Sequence, residues 1–206
     1  MGGCKVLANH IPTFDSTVVA RLEAAGAVLL GKLNLTEGEM GGYNPDFNIP
    51  VNPWNPERWA GASSSGSGVA TALGLCFASL GSDTGGSIRF PAAACGVVGL
   101  KPTWGRVSRY GVLALAESLD HVGPLTRSSA DAGIVLQAIA GQDDNDPTSL
   151  PDAVPDILAQ IDDGVKGIRI GLDEGYVEDG VDPQLSQAVL DGVKALEALG
   201  AQIVNV

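Results

Sequence analysis

Two serine-rich segments hold the residues best suited to chemistry: Gly61-Ala-Ser-Ser-Ser-Gly-Ser67 and Ser82-Asp-Thr-Gly-Gly-Ser-Ile-Arg89. In the second, Gly85 and Gly86 let the backbone turn sharply and present successive N–H groups, an arrangement that binds anions. Ser87 follows directly, so its hydroxyl stands beside those donors, where the oxyanion of a tetrahedral intermediate would form. A hydroxyl is a weak nucleophile until a neighbouring base takes its proton. Ser63, Ser64 and Ser65 supply hydroxyls that could relay that proton. Serine- and glycine-rich loops are also common as plain surface turns and links, so the two segments alone do not separate catalysis from connection.

The longer pattern does. Gly61-Ala-Ser-Ser-Ser-Gly66, Gly81-Ser-Asp-Thr-Gly-Gly-Ser-Ile-Arg-Phe-Pro91 and Gly96-Val-Val-Gly-Leu-Lys-Pro-Thr103 occur in this order. Shorter elements accompany them: Gly31-Lys-Leu-Asn34, Asn52-Pro-Trp54, Gly105-Arg-Val-Ser-Arg-Tyr-Gly111, Ser118-Leu-Asp120, Gly123-Pro-Leu-Thr-Arg127 and Gly167-Ile-Arg-Ile-Gly171. Together they resemble the amidase signature family, which includes aliphatic and aryl amidases, fatty acid amide hydrolase and the A subunit of glutamyl-tRNA amidotransferase. The resemblance runs along nearly the whole chain and says little about the substrate.

That family uses a Ser–Ser–Lys triad. The resemblance implies Ser87 as nucleophile and Ser63 as the bridging serine, which in the family follows a cis peptide. It implies an oxyanion hole from the backbone N–H groups of Thr84, Gly85, Gly86 and Ser87, with Asp83 and Arg89 bracing the loop. Relatives commonly read Gly-Gly-Ser-Ser-Gly-Gly-Ser in the first segment, whereas Ala62 and Ser65 stand here in place of two glycines. Ser64 or Ser65 therefore competes for the roles implied for Ser63. The triad lysine lies in the family upstream of a Gly-Ser or Gly-Cys turn. With Gly2-Gly-Cys4 as that turn, its expected position falls before Met1, and neither Lys5 nor Lys32 sits in the matching motif. The expectation is an amidase core incomplete at both ends.

The implied activity is hydrolysis of a small-molecule carboxamide, and of esters too, through a seryl acyl-enzyme. An amidotransferase A subunit shares the motifs, and a non-catalytic fragment is the third reading. Other chemistries fit poorly. A Ser–His–Asp hydrolase needs a histidine, and only His10 and His121 exist, the latter within the structural Leu-Asp-x-x-Gly-Pro pattern. Gly66-Ser-Gly68 lacks the third glycine of a dinucleotide fingerprint, and Gly31-Lys32-Leu33 lacks the hydroxyl residue of a phosphate loop. No clustering of His, Cys and Asp suggests a metal, and no cofactor is expected. Trp54, Trp59, Trp104 and Arg106 read as packing and loop-anchoring residues.

Composition agrees with an enzyme core. The chain has 206 residues, 45% hydrophobic and 17% charged, ordinary for a folded domain. Its net charge of −12 disfavours nucleic acid and anionic membranes as partners. Cys4, Cys76 and Cys95 are odd in number and lack metal spacing, so free thiols are expected. No signal-like stretch opens the sequence and no apolar run would span a bilayer. The expectation is a cytoplasmic protein.

These residues must be placed by secondary structure. The pattern predicts one α/β unit over 1–206. The resemblance refines it to a three-layer α/β/α core whose mixed sheet is largely parallel. Asp15 or Ser16 caps a helix with Val18, Val19, Leu22 and Ala25 on one face. Gly26 ends it, and residues 27–30 read as a buried strand. Residues 69–75 suit a helix behind the first serine loop. Residues 76–80 suit a strand delivering Asp83 to Ser87 at its carboxyl end, where open α/β sheets place their sites. Ser87 opens a short helix through 88–95. Ser128-Ser-Ala-Asp131 caps a helix through Ala140, and residues 142–156 form an acidic loop. A final βαβ unit comprises a strand at 168–172, a helix from Pro183 and a strand at 201–206. The apolar edge of that last strand leads to the expectation of a homo-oligomer.

Overall fold

A computed structural model describes residues 2–206. Packing divides the chain into two compact units, one up to Leu158 and one over Ala159–Val206. The boundary falls at 159–167, a mostly polar and glycine-containing run, with Ala159, Ile161 and Val165 among it, that is nearly all exposed and offers little to bury.

The larger unit contains α1 (Thr17–Ala24), α2 (Ser65–Ala72), β1 (Ala78–Asp83), α3 (Arg89–Cys95), β2 (Val98–Gly99), β3 (His121–Thr126) and α4 (Ser129–Ile139). Its sheet has the order β1-β3-β2, and both pairings are antiparallel. With the parallel pairing of the smaller unit, these antiparallel pairs give the mixed α/β arrangement expected. The decisive strand is β3, whose His-Val-Gly-Pro-Leu-Thr sequence contains two residues that argue against a central strand. It forms nonetheless, with Val122 to Thr126 all buried.

Two apolar clusters hold this unit together. Val18 of α1, Val107, Val122 of β3, and Leu136 and Ile139 of α4 form one. Ile88, Ala92 and Leu125 form the other, beneath α3. Arg21 on α1 ties the first cluster to the end of α4, donating to the Ile139 carbonyl at 2.8 Å and the Gln142 carbonyl at 2.7 Å. These carbonyls would otherwise lack helical partners. The start of α4 follows its sequence signal, since Ser128 Oγ accepts from Asp131 N–H at 3.1 Å.

Residues 27–30 do not form a strand, contrary to expectation. Val28 is 82% and Leu30 76% exposed, and with no neighbouring strand among the described residues the run has no ladder to join. The acidic segment 142–156 is a loop as expected, fastened by its own side chains. Asp143 accepts from Ser108 Oγ at 2.6 Å and from Thr17 Oγ1 at 2.5 Å.

The smaller unit is a βαβ arrangement. Strands β4 (Arg169–Leu172) and β5 (Gln202–Asn205) pair in parallel, with Arg169 opposite Gln202. Between them lie a short α5 (Glu174–Glu178), absent from the sequence reading, and α6 (Pro183–Ala198). Pro183 occupies the first turn of α6, and Asp182 caps it by accepting from Gln184 N–H at 2.8 Å. Among the described residues no helix is long and apolar enough to cross a membrane.

Candidate active site

The second serine loop leaves the end of β1 and is shaped chiefly by one carboxylate. The Asp83 side chain is fully buried. Its Oδ1 accepts from Gly86 N–H at 2.8 Å and Arg89 Nη2 at 3.0 Å. Its Oδ2 accepts from Ile88 N–H at 3.1 Å and Arg89 Nε at 3.0 Å. Burial alone would push this carboxyl up. The Arg89 hydrogen bonds and the Ile88 N–H outweigh it and hold Asp83 below the ordinary carboxylate range. The loop therefore closes around an ionised aspartate.

Gly86 sits at the tightest point, at φ +137°. A Cβ there would lie 2.3 Å from the Phe90 ring, so both conformation and space require glycine. Ile88 has no exposed surface and anchors the far end of the turn in the second apolar cluster.

The first serine segment lies alongside. Ser64 N–H donates to the Ser87 carbonyl at 3.2 Å, joining the two loops by their backbones. The peptide between Ala62 and Ser63 is cis. The Ser63 carbonyl accepts from Thr36 N–H at 3.3 Å and Ser65 N–H at 2.9 Å. Helix α2 begins at Ser65 rather than Val69, because its early glycines allow close packing: a Cβ on Gly66 would stand 2.4 Å from the Asn34 carbonyl.

The hydroxyls differ in their freedom. Ser64 Oγ is occupied, donating to Ser82 O at 3.3 Å and accepting from Ser82 N–H at 3.2 Å. Ser63 Oγ, Ser65 Oγ and Thr36 Oγ1 are buried without a hydrogen-bond partner among the described residues. Buried polar atoms are rarely left so. Ser87 is half-buried, and its hydroxyl likewise has no partner among the described residues. Of the four N–H groups expected to receive an oxyanion, Gly86 is already committed to Asp83 Oδ1. The N–H groups of Thr84, Gly85 and Ser87 have no acceptor among the described residues. Asp83 and Arg89 meet as described. Lys32 is exposed and Lys5 pairs with Asp46, and neither bonds to a serine among the described residues.

Sequence reasoning missed a second layer. Asp120 is buried and accepts from Leu115 N–H at 2.8 Å, from Ala116 N–H at 2.9 Å and from Thr84 Oγ1 at 2.5 Å. It thus ties the second serine loop to the turn before β3. Asn52 spans Trp59 O and Ala94 O, each at 2.9 Å, fixing the irregular segment ahead of the first serine loop against α3. Its place in Asn52-Pro-Trp54 was the available signal. Beside the loop, a cleft of about 270 Å³ is lined by residues including Glu39, Ser82, Arg109, Asp120 and His121. Burial raises the Glu39 carboxyl although Ser82 Oγ donates to it at 2.9 Å. Cys95 is buried and its thiol is pushed up by that burial; all three cysteines are free.

Comparison with known proteins agrees with this geometry. The family model described as Amidase matches residues 1–206. A putative amidase, AmiD, of Mycobacterium tuberculosis is 53% identical over 199 residues, which cover 96% of this chain and 41% of that protein. The A subunit of glutamyl-tRNA(Gln) amidotransferase from a Synechococcus species is 53% identical over 205 residues, covering 98% of this chain and 42% of the relative. Among solved structures, the corresponding protein from Thermotoga maritima superposes with a TM-score of 0.95 at 44% identity, covering 99% of this chain and 45% of that one. The native peptide amidase of Stenotrophomonas maltophilia gives 0.83 at 40% identity, covering 93% of this chain and 41% of that one. The chain thus spans less than half the length of these relatives. With its two serine loops joined backbone to backbone and its whole length matched, this chain belongs to the amidase family.

Proposed function

We propose that this chain contributes the nucleophile and oxyanion donors of an amide-hydrolysing site. The observation that carries the reading is the Ser64 N–H to Ser87 carbonyl bond at 3.2 Å, which brings both serine loops together beside the buried Ser63. Ser87 Oγ attacks the carbonyl carbon of a small-molecule carboxamide and becomes acylated. The oxyanion of the tetrahedral intermediate is received by the N–H groups of Thr84, Gly85 and Ser87, donors with no acceptor of their own among the described residues. Ser63 Oγ takes the Ser87 proton and passes it to the leaving amine, with a lysine of the family's triad as base. Water then attacks the acyl-enzyme and releases the acid. Esters are alternative substrates, because an alcohol leaves more readily than an amine.

The test is covalent labelling of the full-length protein with a fluorophosphonate, read by intact mass and peptide mapping. The adduct should map to Ser87, and Ser87→Ala should not label. Ser63→Ala should label far more slowly, since proton relay typically contributes ~10²–10⁴-fold. An adduct persisting on Ser87→Ala overturns the assignment.

A second reading, a component of an amidotransferase, is favoured by the 0.95 TM-score to the Thermotoga maritima protein. Turnover of simple amides and nitrophenyl esters without partner proteins supports the stand-alone amidase. Turnover that appears only when partner subunits are added supports the other reading.

A further inference from the structure

His121 stands at the last rung of the antiparallel pairing between β1 and β3, opposite Asp83. Its Nδ1 lies 3.1 Å from the Asp83 carbonyl oxygen. Its Nε2 lies 3.1 Å from Lys101 Nζ, which also donates to the Pro102 carbonyl at 3.1 Å. A carbonyl oxygen only accepts, so Nδ1 carries the hydrogen. An ammonium only donates, so Nε2 presents its lone pair. Two independent partners thus select one tautomer from opposite sides of the ring.

The bond to Asp83 has a direct consequence for the loop. The peptide unit is planar and trans, so the carbonyl of Asp83 and the N–H of Thr84 point in opposite directions within one plane. Fixing the carbonyl fixes the aim of the N–H. Thr84 N–H is the first of the three loop donors without an acceptor among the described residues, and Thr84 Oγ1 is already held by Asp120 at 2.5 Å. The Asp83 carboxylate secures the other end of the turn through Gly86 N–H. Asp83 also pairs with His121 across the β1–β3 ladder, so the imidazole adds a side-chain restraint to a backbone one at this last rung.

We propose that His121, held in its Nδ1–H tautomer by Lys101, is a positioning residue that aims the Thr84 N–H at the developing oxyanion. Its catalytic consequence rests on the reading of Ser87 as nucleophile; its geometry does not. The imidazole neither touches Ser87 nor takes its proton. Lys101 acts one step further back, keeping the ring oriented.

The test uses the full-length protein and two readouts. Nitrogen-15 imidazole spectra at neutral pH, with the His121 signal assigned by its loss in His121→Asn, should show a neutral ring protonated at Nδ1. A ring protonated at Nε2, or at both nitrogens, overturns the proposal whether or not the protein has activity. The second readout is the rate of fluorophosphonate labelling. Loss of an oxyanion donor typically costs ~10²–10³-fold, and a misaimed one should cost about 10–100-fold, the effect expected for His121→Leu. His121→Asn, whose amide N–H₂ occupies the Nδ1 position, should label within about threefold of the native rate. His121→Gln, whose amide reaches toward the Nε2 position instead, should be as slow as the leucine variant, and it serves if that variant does not fold. Native-rate labelling of a folded His121→Leu or His121→Gln protein overturns the proposal. If the native protein fails to label at all, the nucleophile assignment falls while the tautomer still decides this inference.

Discussion

Replacing Asp83 by asparagine removes one charge and almost no volume, so its cost isolates the polar framework of the second serine loop. The native carboxylate accepts four hydrogen bonds of 3.1 Å or shorter, two on each oxygen. An amide keeps one acceptor oxygen and turns the other into a donor. The less damaging rotamer places the oxygen toward Ile88 and Arg89 Nε, and turns the N–H₂ group against Gly86 N–H and Arg89 Nη2. Arg89 is 54% exposed and can rehydrate, whereas Gly86 is buried and cannot. An orphaned buried N–H costs ~1–3 kcal/mol, and hydrogen bonds to charged groups contribute ~1.5–3 kcal/mol each. Discounting the exposed arginine arm leaves a destabilisation of about 3 kcal/mol. For a chain of this size that lowers Tm by roughly 6–12 °C, at about 2–4 °C per kcal/mol. Urea unfolding with an unchanged m-value is the assay. A loss below about 0.5 kcal/mol, the range of unremarkable surface changes, would refute the claim that this carboxylate organises the loop.

Three further outcomes follow from the same geometry. Gly86→Ala should abolish Ser87 labelling in a protein that still melts cooperatively, because the φ of +137° and the Phe90 ring oppose a side chain there; native-rate labelling would contradict the described turn. Ser64→Ala should cost only about 1 kcal/mol, the net worth of hydrogen bonds to the Ser82 backbone, as read by denaturant unfolding. Asp143 is lowered from 3.8 to about 2: burial opposes ionisation, but donation from Ser108 and Thr17 overcomes it. A carboxyl depressed in the folded state stabilises above its unfolded value, and that contribution disappears as pH falls from about 4 toward 2. Screening at this partly exposed site reduces it to about 1 kcal/mol. Unfolding free energies from pH 5 to 2 should therefore fall less steeply for Asp143→Asn than for the native chain, and parallel curves would count against the shift.

The sequence was most legible where one residue type has one physical use. Ser128 with Asp131 marks a helix start through side-chain geometry alone, and that cap forms, just as Pro183 opens the first turn of α6. The apolar spacing of α1 is recovered because Val18 and Leu22 meet the core whatever else the chain does. Residues 27–30 failed because a buried strand is defined by its neighbours, and a run of Ala, Val and Leu carries no information about whether one exists. β3, by contrast, went unread: tertiary pairing on both sides overrides Gly123 and Pro124. At the site, the serine segments were readable from their order. The tether from Asp120 to Thr84 was not, because it joins residues far apart in sequence through a contact that only the antiparallel register creates.

Packing and polar tethers divide the work at this site. The second apolar cluster fixes Ile88, one residue beyond Ser87, and so determines where the loop ends. Between Asp83 and Ile88 the chain offers only threonine, two glycines and a serine, none of which can bury enough surface to define a conformation. The turn is therefore specified by directional bonds: Asp83 to Gly86, Asp120 to Thr84, His121 to the Asp83 carbonyl, and Ser64 to Ser87. Hydrogen bonds constrain direction where apolar contacts do not, and under the proposed reading the direction of these N–H groups is what receives an oxyanion. That division explains why the loop can consist of small residues lacking any hydrophobic anchor of their own.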